Sequence, residues 1–158
     1  MSQAPATTEQ MGQVDCLMIP INDRQLLLPN VTVAEIIPFS QLLTTNSSID
    51  WVLGRLQWRG VSIPVICYEM LNGSPAPRPS PNARFAVING VGNNPHMPFY
   101  AVLVQGIPKL KKVEEKDIQE VDAMVGMGAM DQMSVSVEGE AAFIPDLDLL
   151  EQQLLSVL

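Results

Sequence analysis

Residues 52–66 read VLGRLQWRGVSIPVI. Two runs rich in Val, Ile and Leu flank Arg59-Gly60, and a glycine at that point suits a sharply twisted hairpin or a bend between strands. Working outward, residues 14–21 predict a strand, Asn22-Asp23 a turn, and residues 24–29 (RQLLLP) the returning partner. The stretch VTVAEIIPF, residues 31–39, is β-branched, with Glu35 interrupting an otherwise apolar run. Residues 40–50 (SQLLTTNSSID) are polar and turn-rich, hence a loop, and residues 68–72 suit one helical turn closed by Gly73.

Prolines at 75, 77, 79 and 81 then fix every second φ near −65°, so 74–82 (SPAPRPSPN) forms no ladder. It is expected to be a semi-rigid connector between two barrel halves. Beyond it, residues 85–89, 99–104, 107–113, 133–137 and 141–144 read as strands, with another at 125–130, and EGE (138–140) can turn a hairpin. EEKDI (114–118) suits a single turn. Pro145 fits the first turn of a closing helix through 157, where Leu147, Leu150, Leu154 and Leu158 share one face. Met124, Met127, Met130 and Met133 recur every third residue, and Gly126 and Gly128 weaken a helix there. Two readings stay open for them: gap-filling core, or an adaptable partner surface. Many short strands, Gly/Pro punctuation and a single terminal helix predict an all-β fold of antiparallel barrels or a sandwich.

A chain of 158 residues can bury a self-sufficient core, and 47% apolar against 16% charged residues marks it as globular. No apolar run approaches the ~18 residues needed to span a bilayer. Residues 1–13 lack the basic start and apolar middle of a signal peptide and read as a flexible tail, so a cytoplasmic protein is expected. Cys16 and Cys67 in apolar strands then read as buried free thiols. The net charge of −8 disfavours nucleic acid and anionic membrane as partners. Lys109, Lys111, Lys112 and Lys116 form a local basic island, but Glu114, Glu115 and Asp117 interrupt it, as in a solvated mixed-charge edge.

Reactive chemistry has little to draw on. Gly126-Met127-Gly128 lacks the third glycine or the Lys-Ser/Thr of a phosphate loop. There is no CxxC, and His96, the only histidine, has no second ligand at metal spacing and reads as solvent-facing. Ser134 and Ser136 alternate with valines as in a half-exposed strand, and Glu114-Glu115 would stay ionised. No catalytic residue, metal or cofactor is expected.

The same residues resemble the signature of CheW-like domains, in which a strand reading Gly-Val-Ile-Asn-Leu-Arg-Gly leads into Pro-Val-Ile-Asp-Leu. Gly54, Arg59, Gly60, Pro64, Val65 and Ile66 match it in order and spacing. Val33-Ala34-Glu35-Ile36 resembles the family's Val-Gln-Glu-Ile, YAVLVQGI (100–107) its Gly-Leu-Val-Val-Asp-x-Val strand, and EEKDI the turn after it. GMGAM (126–130) resembles its Gly-Leu-Gly-x-Leu, and IPDLDLL (144–150) its closing Leu-Leu-Asp-x-x-x-Leu. The departures are Gln57-Trp58 for Asn-Leu, Cys67 for the Asp after Pro-Val-Ile, and Gln105 for the later Asp. The proline stretch, the GNNPHMP loop (92–98) and the VSVEGEAA segment (135–142) are extended as well. The pattern is that of a divergent member, similar to accessory CheW-like proteins of type IV pilus (twitching) chemosensory arrays.

The resemblance implies two small SH3-like five-stranded barrels packed across a hydrophobic seam, and a C-terminal helix. It implies a non-catalytic adaptor coupling a CheA-type histidine kinase to the cytoplasmic tip of methyl-accepting chemoreceptors, without membrane insertion. The family's receptor-contacting Val, Glu and Arg fall on Val33, Glu35 and Arg59, and the expected protein-binding set is Val33, Glu35, Gly54, Trp58, Arg59 and Gly60. Glu35 and Arg59 could instead be a structural pair joining two strands. Two other functions stay open: a kinase-only or receptor-only competitor that has lost one interface, and, more remotely, a ligand-binding barrel or enzyme.

Overall fold

The computed structural model describes residues 13–45, 48–120 and 126–158. Among the described residues, eleven strands form two sheets. The first contains β1 (Gln13–Pro20), β2 (Gln25–Pro29), β8 (Lys109–Glu114), β9 (Ile118–Glu120), β10 (Asp131–Val137) and β11 (Glu140–Pro145), in the order β8-β1-β2-β11-β10-β9. The second contains β3 (Val33–Pro38), β4 (Val52–Trp58), β5 (Val61–Ile66), β6 (Arg84–Asn89) and β7 (Phe99–Val104), in the order β3-β6-β7-β5-β4. Two short helices complete it, α1 (Tyr68–Leu71) and α2 (Leu147–Leu155). This is the expected all-β architecture, with one strand, β9, beyond five in the first sheet.

Side chains alternate across a strand, so one strand can feed two cores. Met18, Leu27, Val135 and Val137 fill the interior of the first sheet, and Phe85, Val87, Ala101 and Leu103 that of the second. Their neighbours Ile19, Leu26, Leu28, Ala86, Ile88, Tyr100 and Val102 point the other way and meet in a third cluster between the sheets. That double burial is why these strands read as continuous apolar runs instead of alternating with polar residues. Leu150 and Leu154 of α2 dock on the same seam.

Several expectations change. The proline stretch 74–82 runs from α1 to β6, so it joins two strands of the second sheet and does not connect the barrels. The chain changes sheets at the 3-10 turn Asn30–Thr32 and again between β7 and β8. The expected strand at 125–130 is bend and turn over 126–130, with 125 outside the described residues. Gly128 explains why: a Cβ there would lie 2.3 Å from the Asn72 amide, so the segment is wedged against α1. Of the methionines, Met130 fills the seam and Met133 packs on the first sheet's interior, while Met124 lies outside the described residues. The terminal helix starts later than expected, because Pro145 ends β11 and the Asp146 carboxylate accepts the Leu149 N–H as its cap. Leu158 lies past its end and is exposed. Residue 13 of the expected tail already pairs with β8, and 1–12 lie outside the described residues.

Candidate docking site

Arg59 and Gly60 are the two central residues of the β4–β5 hairpin, with Trp58 opposite Val61. Their φ angles are 48° and 79°. Positive φ at both positions gives the turn whose twist matches antiparallel strands. Gly60 adopts it freely, whereas a non-glycine residue in this region costs ~1 kcal/mol and is held by its surroundings. Here the Arg59 guanidinium lies 4.8 Å from the Trp58 ring centre, and its Nη2 is 3.3 Å from Glu35 Oε1.

Glu35 reaches this point because β3 is bulged. Val33 faces Ile88, yet Glu35 already faces Val87, so Ala34 is the extra residue. Val33 and Ile36 therefore both pack on the seam, and Ala34 and Ile37 both on the second sheet's interior. Glu35 sits at the rim of that interior, where the Trp58 indole Nε1 donates to Oε1 at 2.9 Å. Trp58 is only 7% exposed and packs its ring edge-on against Phe99, with centroids 4.8 Å apart.

β3 and β4 are the two ends of the second sheet's strand order, so these contacts draw its edges together into a barrel. A backbone pair between Leu43 and Arg55, 2.8 and 2.9 Å, fastens the edges further along. Magnitudes separate fastening from docking. The Arg59 and Glu35 side chains are 68% and 41% exposed. A pair so exposed contributes ~0–1 kcal/mol to stability. The indole bond and the backbone pair do most of the fastening. Arg59 presents its remaining donors outward, beside the exposed Val61.

Of the six expected residues, Glu35, Trp58, Arg59 and Gly60 come together, and Val33 lies one bulge away on the seam side of β3. Gly54 is set apart. It is buried, with φ 152°, and a Cβ there would lie 2.5 Å from the Leu43 carbonyl oxygen. Its place is a close approach of backbones beneath the 42–43 loop.

Sequence reasoning did not anticipate the polar hubs of the seam. Asp131 accepts from the Arg24 guanidinium, from Tyr68 OH at 2.7 Å, Asn72 Nδ2 at 3.0 Å and Gly128 N at 2.9 Å. Glu151, on α2, accepts from Val91 N, Gly92 N and Tyr100 OH. Glu69 accepts from Asn22 N at 2.7 Å. Burial, followed by the neighbouring carboxylates, pushes the Tyr68 and Tyr100 phenols far above their ordinary range. The one hint in the sequence was an acid flanked by large apolar residues, as at Glu69 between Tyr68 and Met70.

An apolar groove of about 290 Å³ lies between Leu42, Leu53, Met70 and Pro77. Cys67 is its sole ionisable lining residue, and burial raises that thiol to about 11. It is protonated at neutral pH and a poor nucleophile. His96 is exposed, Cys16 and Cys67 are free buried thiols, and no metal-binding group of three or more side chains occurs among the described residues. No helix among the described residues is long and apolar enough to cross a membrane.

A family model described as CheW-like domain matches residues 15–154. Among solved structures, the chain is similar to the scaffolding protein TtCheW from Thermoanaerobacter tengcongensis, with a TM-score of 0.71 and 14% identity. The alignment covers 84% of this chain and 88% of that one. Comparison with curated protein sequences gave no match.

Proposed function

The chain belongs to the CheW-like domain family, whose members are non-catalytic chemotaxis scaffolds, and from that premise we propose that it couples a CheA-type histidine kinase to the cytoplasmic tips of chemoreceptors. The observation that carries this reading is the hairpin tip. An arginine in strained backbone, stacked on a buried tryptophan and 68% exposed, does too little for stability to explain its placement. Arginine beside an aromatic residue is typical of interface anchors. Fixed charges beside an exposed apolar residue, here Val61, suit recognition of a helical hairpin. Val33, Glu35, Trp58, Arg59 and Gly60 form the docking set, and Gly54 shapes the strand behind it.

Of the four residues that depart from the family signature, Cys67 and Gln105 serve the chain's own packing. Cys67 is buried, and Gln105 anchors the proline stretch, its Oε1 accepting from Ser80 N at 2.8 Å and its carbonyl from Ser80 Oγ at 2.7 Å. Gln57 alone is exposed. A competitor lacking one interface would therefore have to owe that loss to Gln57, to Trp58 or to the extended segments. We further propose a cytoplasmic location and, from the resemblance of its sequence to accessory members, a role in a pilus-linked array. Titration of the full chain with the kinase regulatory domain, and separately with a receptor hairpin fragment, tests the adaptor reading. Binding of both, with Kd on the order of tens of micromolar or tighter, is expected. Binding of neither would refute it, and binding of one alone would establish the competitor.

A further inference from the structure

The family signature has leucine where this chain has Trp58, and the substitution adds a hydrogen-bond donor that leucine lacks. Its Nε1–H lies 2.9 Å from the same Glu35 oxygen that Arg59 Nη2 approaches at 3.3 Å, and its ring lies beneath the guanidinium at 4.8 Å. Phe99 packs edge-on against the same ring. Glu35 is thus held at a single oxygen by a donor from the core and a donor from the surface. The geometry points to Trp58 as a positioning residue of the docking site, fixing Glu35 and Arg59 in one arrangement before the partner arrives.

This inference rests on the docking reading proposed above. Its physical content is preorganisation. An exposed arginine samples many rotamers, and immobilising it on binding costs affinity. A stacked, anchored guanidinium has lost much of that freedom in the unbound chain. Cation–π contacts are strongest with tryptophan. A fixed acid beneath the guanidinium restrains it further.

Trp58 acts through Arg59, so its effect on binding should vanish when Arg59 is gone, whereas a general structural role would persist. Affinity for a receptor hairpin fragment is measured for the full chain and for Trp58→Phe, Trp58→Leu, Glu35→Ala, Arg59→Ala and the double variant Trp58→Phe/Arg59→Ala. Trp58→Phe, which keeps a ring and loses the N–H, should bind about fivefold more weakly, and Trp58→Leu at least about tenfold. In the Arg59→Ala background, Trp58→Phe should change affinity less than about twofold. The Trp58 indole N–H resonance, followed by NMR, should shift in Glu35→Ala, a readout that needs no partner. If Arg59→Ala weakens binding but Trp58→Phe and Trp58→Leu bind like the parent chain, Trp58 has no positioning role. Equal losses from Trp58→Phe with and without Arg59 would likewise overturn it. If Arg59→Ala leaves affinity unchanged, the docking reading itself fails, whatever Trp58 does.

Discussion

Carboxylates occur in two settings in this molecule. At the seam, Asp131 has no exposed side-chain surface and accepts four hydrogen bonds from β2's approach, α1 and the 126–130 turn. Glu151 ties α2 to the loop before β7 and to Tyr100 within it. At the hairpin tip, Glu35 is 41% exposed and its cationic partner 68%. Buried acids of the first kind are expensive to leave unpaired, so every bond they accept locks one segment to another. An exposed acid of the second kind locks little, and its charge stays available to a partner. The same residue types therefore hold the barrels together at one place and mark a surface at the other.

The contrast is sharpest in what each substitution should cost. Asp131→Ala strands the Arg24 guanidinium, the Tyr68 hydroxyl and the Asn72 amide without their acceptor. A loss of ~3–5 kcal/mol in urea unfolding is expected, and a loss below ~1 kcal/mol would show that water satisfies these groups. Glu151→Ala should cost ~2–3 kcal/mol, chiefly by leaving the buried Tyr100 hydroxyl without its acceptor and also by releasing the Val91 and Gly92 N–H groups. Hydrogen exchange at those two amides should rise with it. Gly54→Ala, which drives a Cβ into the Leu43 carbonyl, should cost about 2 kcal/mol. Loss of receptor binding with full stability would instead make Gly54 a contact residue.

The buried hydroxyls and thiol extend the comparison to pH. In the unfolded chain the Cys67 thiol ionises near 9.0, and in the folded protein burial raises it to about 11. Tyr68 and Tyr100, near 10.0 when unfolded, are pushed higher still. The folded state thus holds protons that the unfolded state releases. Their contribution is complete below about pH 9 and declines as pH climbs through that value. Cys67 alone accounts for a decline of about 2 kcal/mol between pH 9 and 11. Urea midpoints that stay level over that window would contradict it.

Much of this was legible in the sequence because short strands and turns are encoded locally. Arg59-Gly60 and Glu138-Gly139 both sit at hairpin tips with positive φ, as residue–glycine turns between apolar runs suggest. The four-residue α1, closed by Gly73, lies where one helical turn was expected. What stayed hidden depends on distant partners. The β3 bulge cannot be read from VAEII, because only pairing with β6 shows that Ala34 is extra. The proline stretch looked like a connector between barrels, but sheet membership is set by strand pairing far along the chain. The Asp131 hub draws on Arg24, Tyr68 and Asn72, at least 59 residues away in sequence. At the proposed docking site, motif order pointed to Glu35 and Arg59, and only the folded barrel shows Trp58 in contact with both.

Arg59→Ala offers the smallest expected stability change and the most direct test of the surface role. Its unfolding free energy and its affinity for a receptor hairpin fragment should be measured on the same preparation of the full chain. Stability should fall by less than ~1 kcal/mol while affinity drops at least about tenfold. A stability loss of several kcal/mol with affinity intact would make the hairpin tip a structural clasp and remove the basis for docking there.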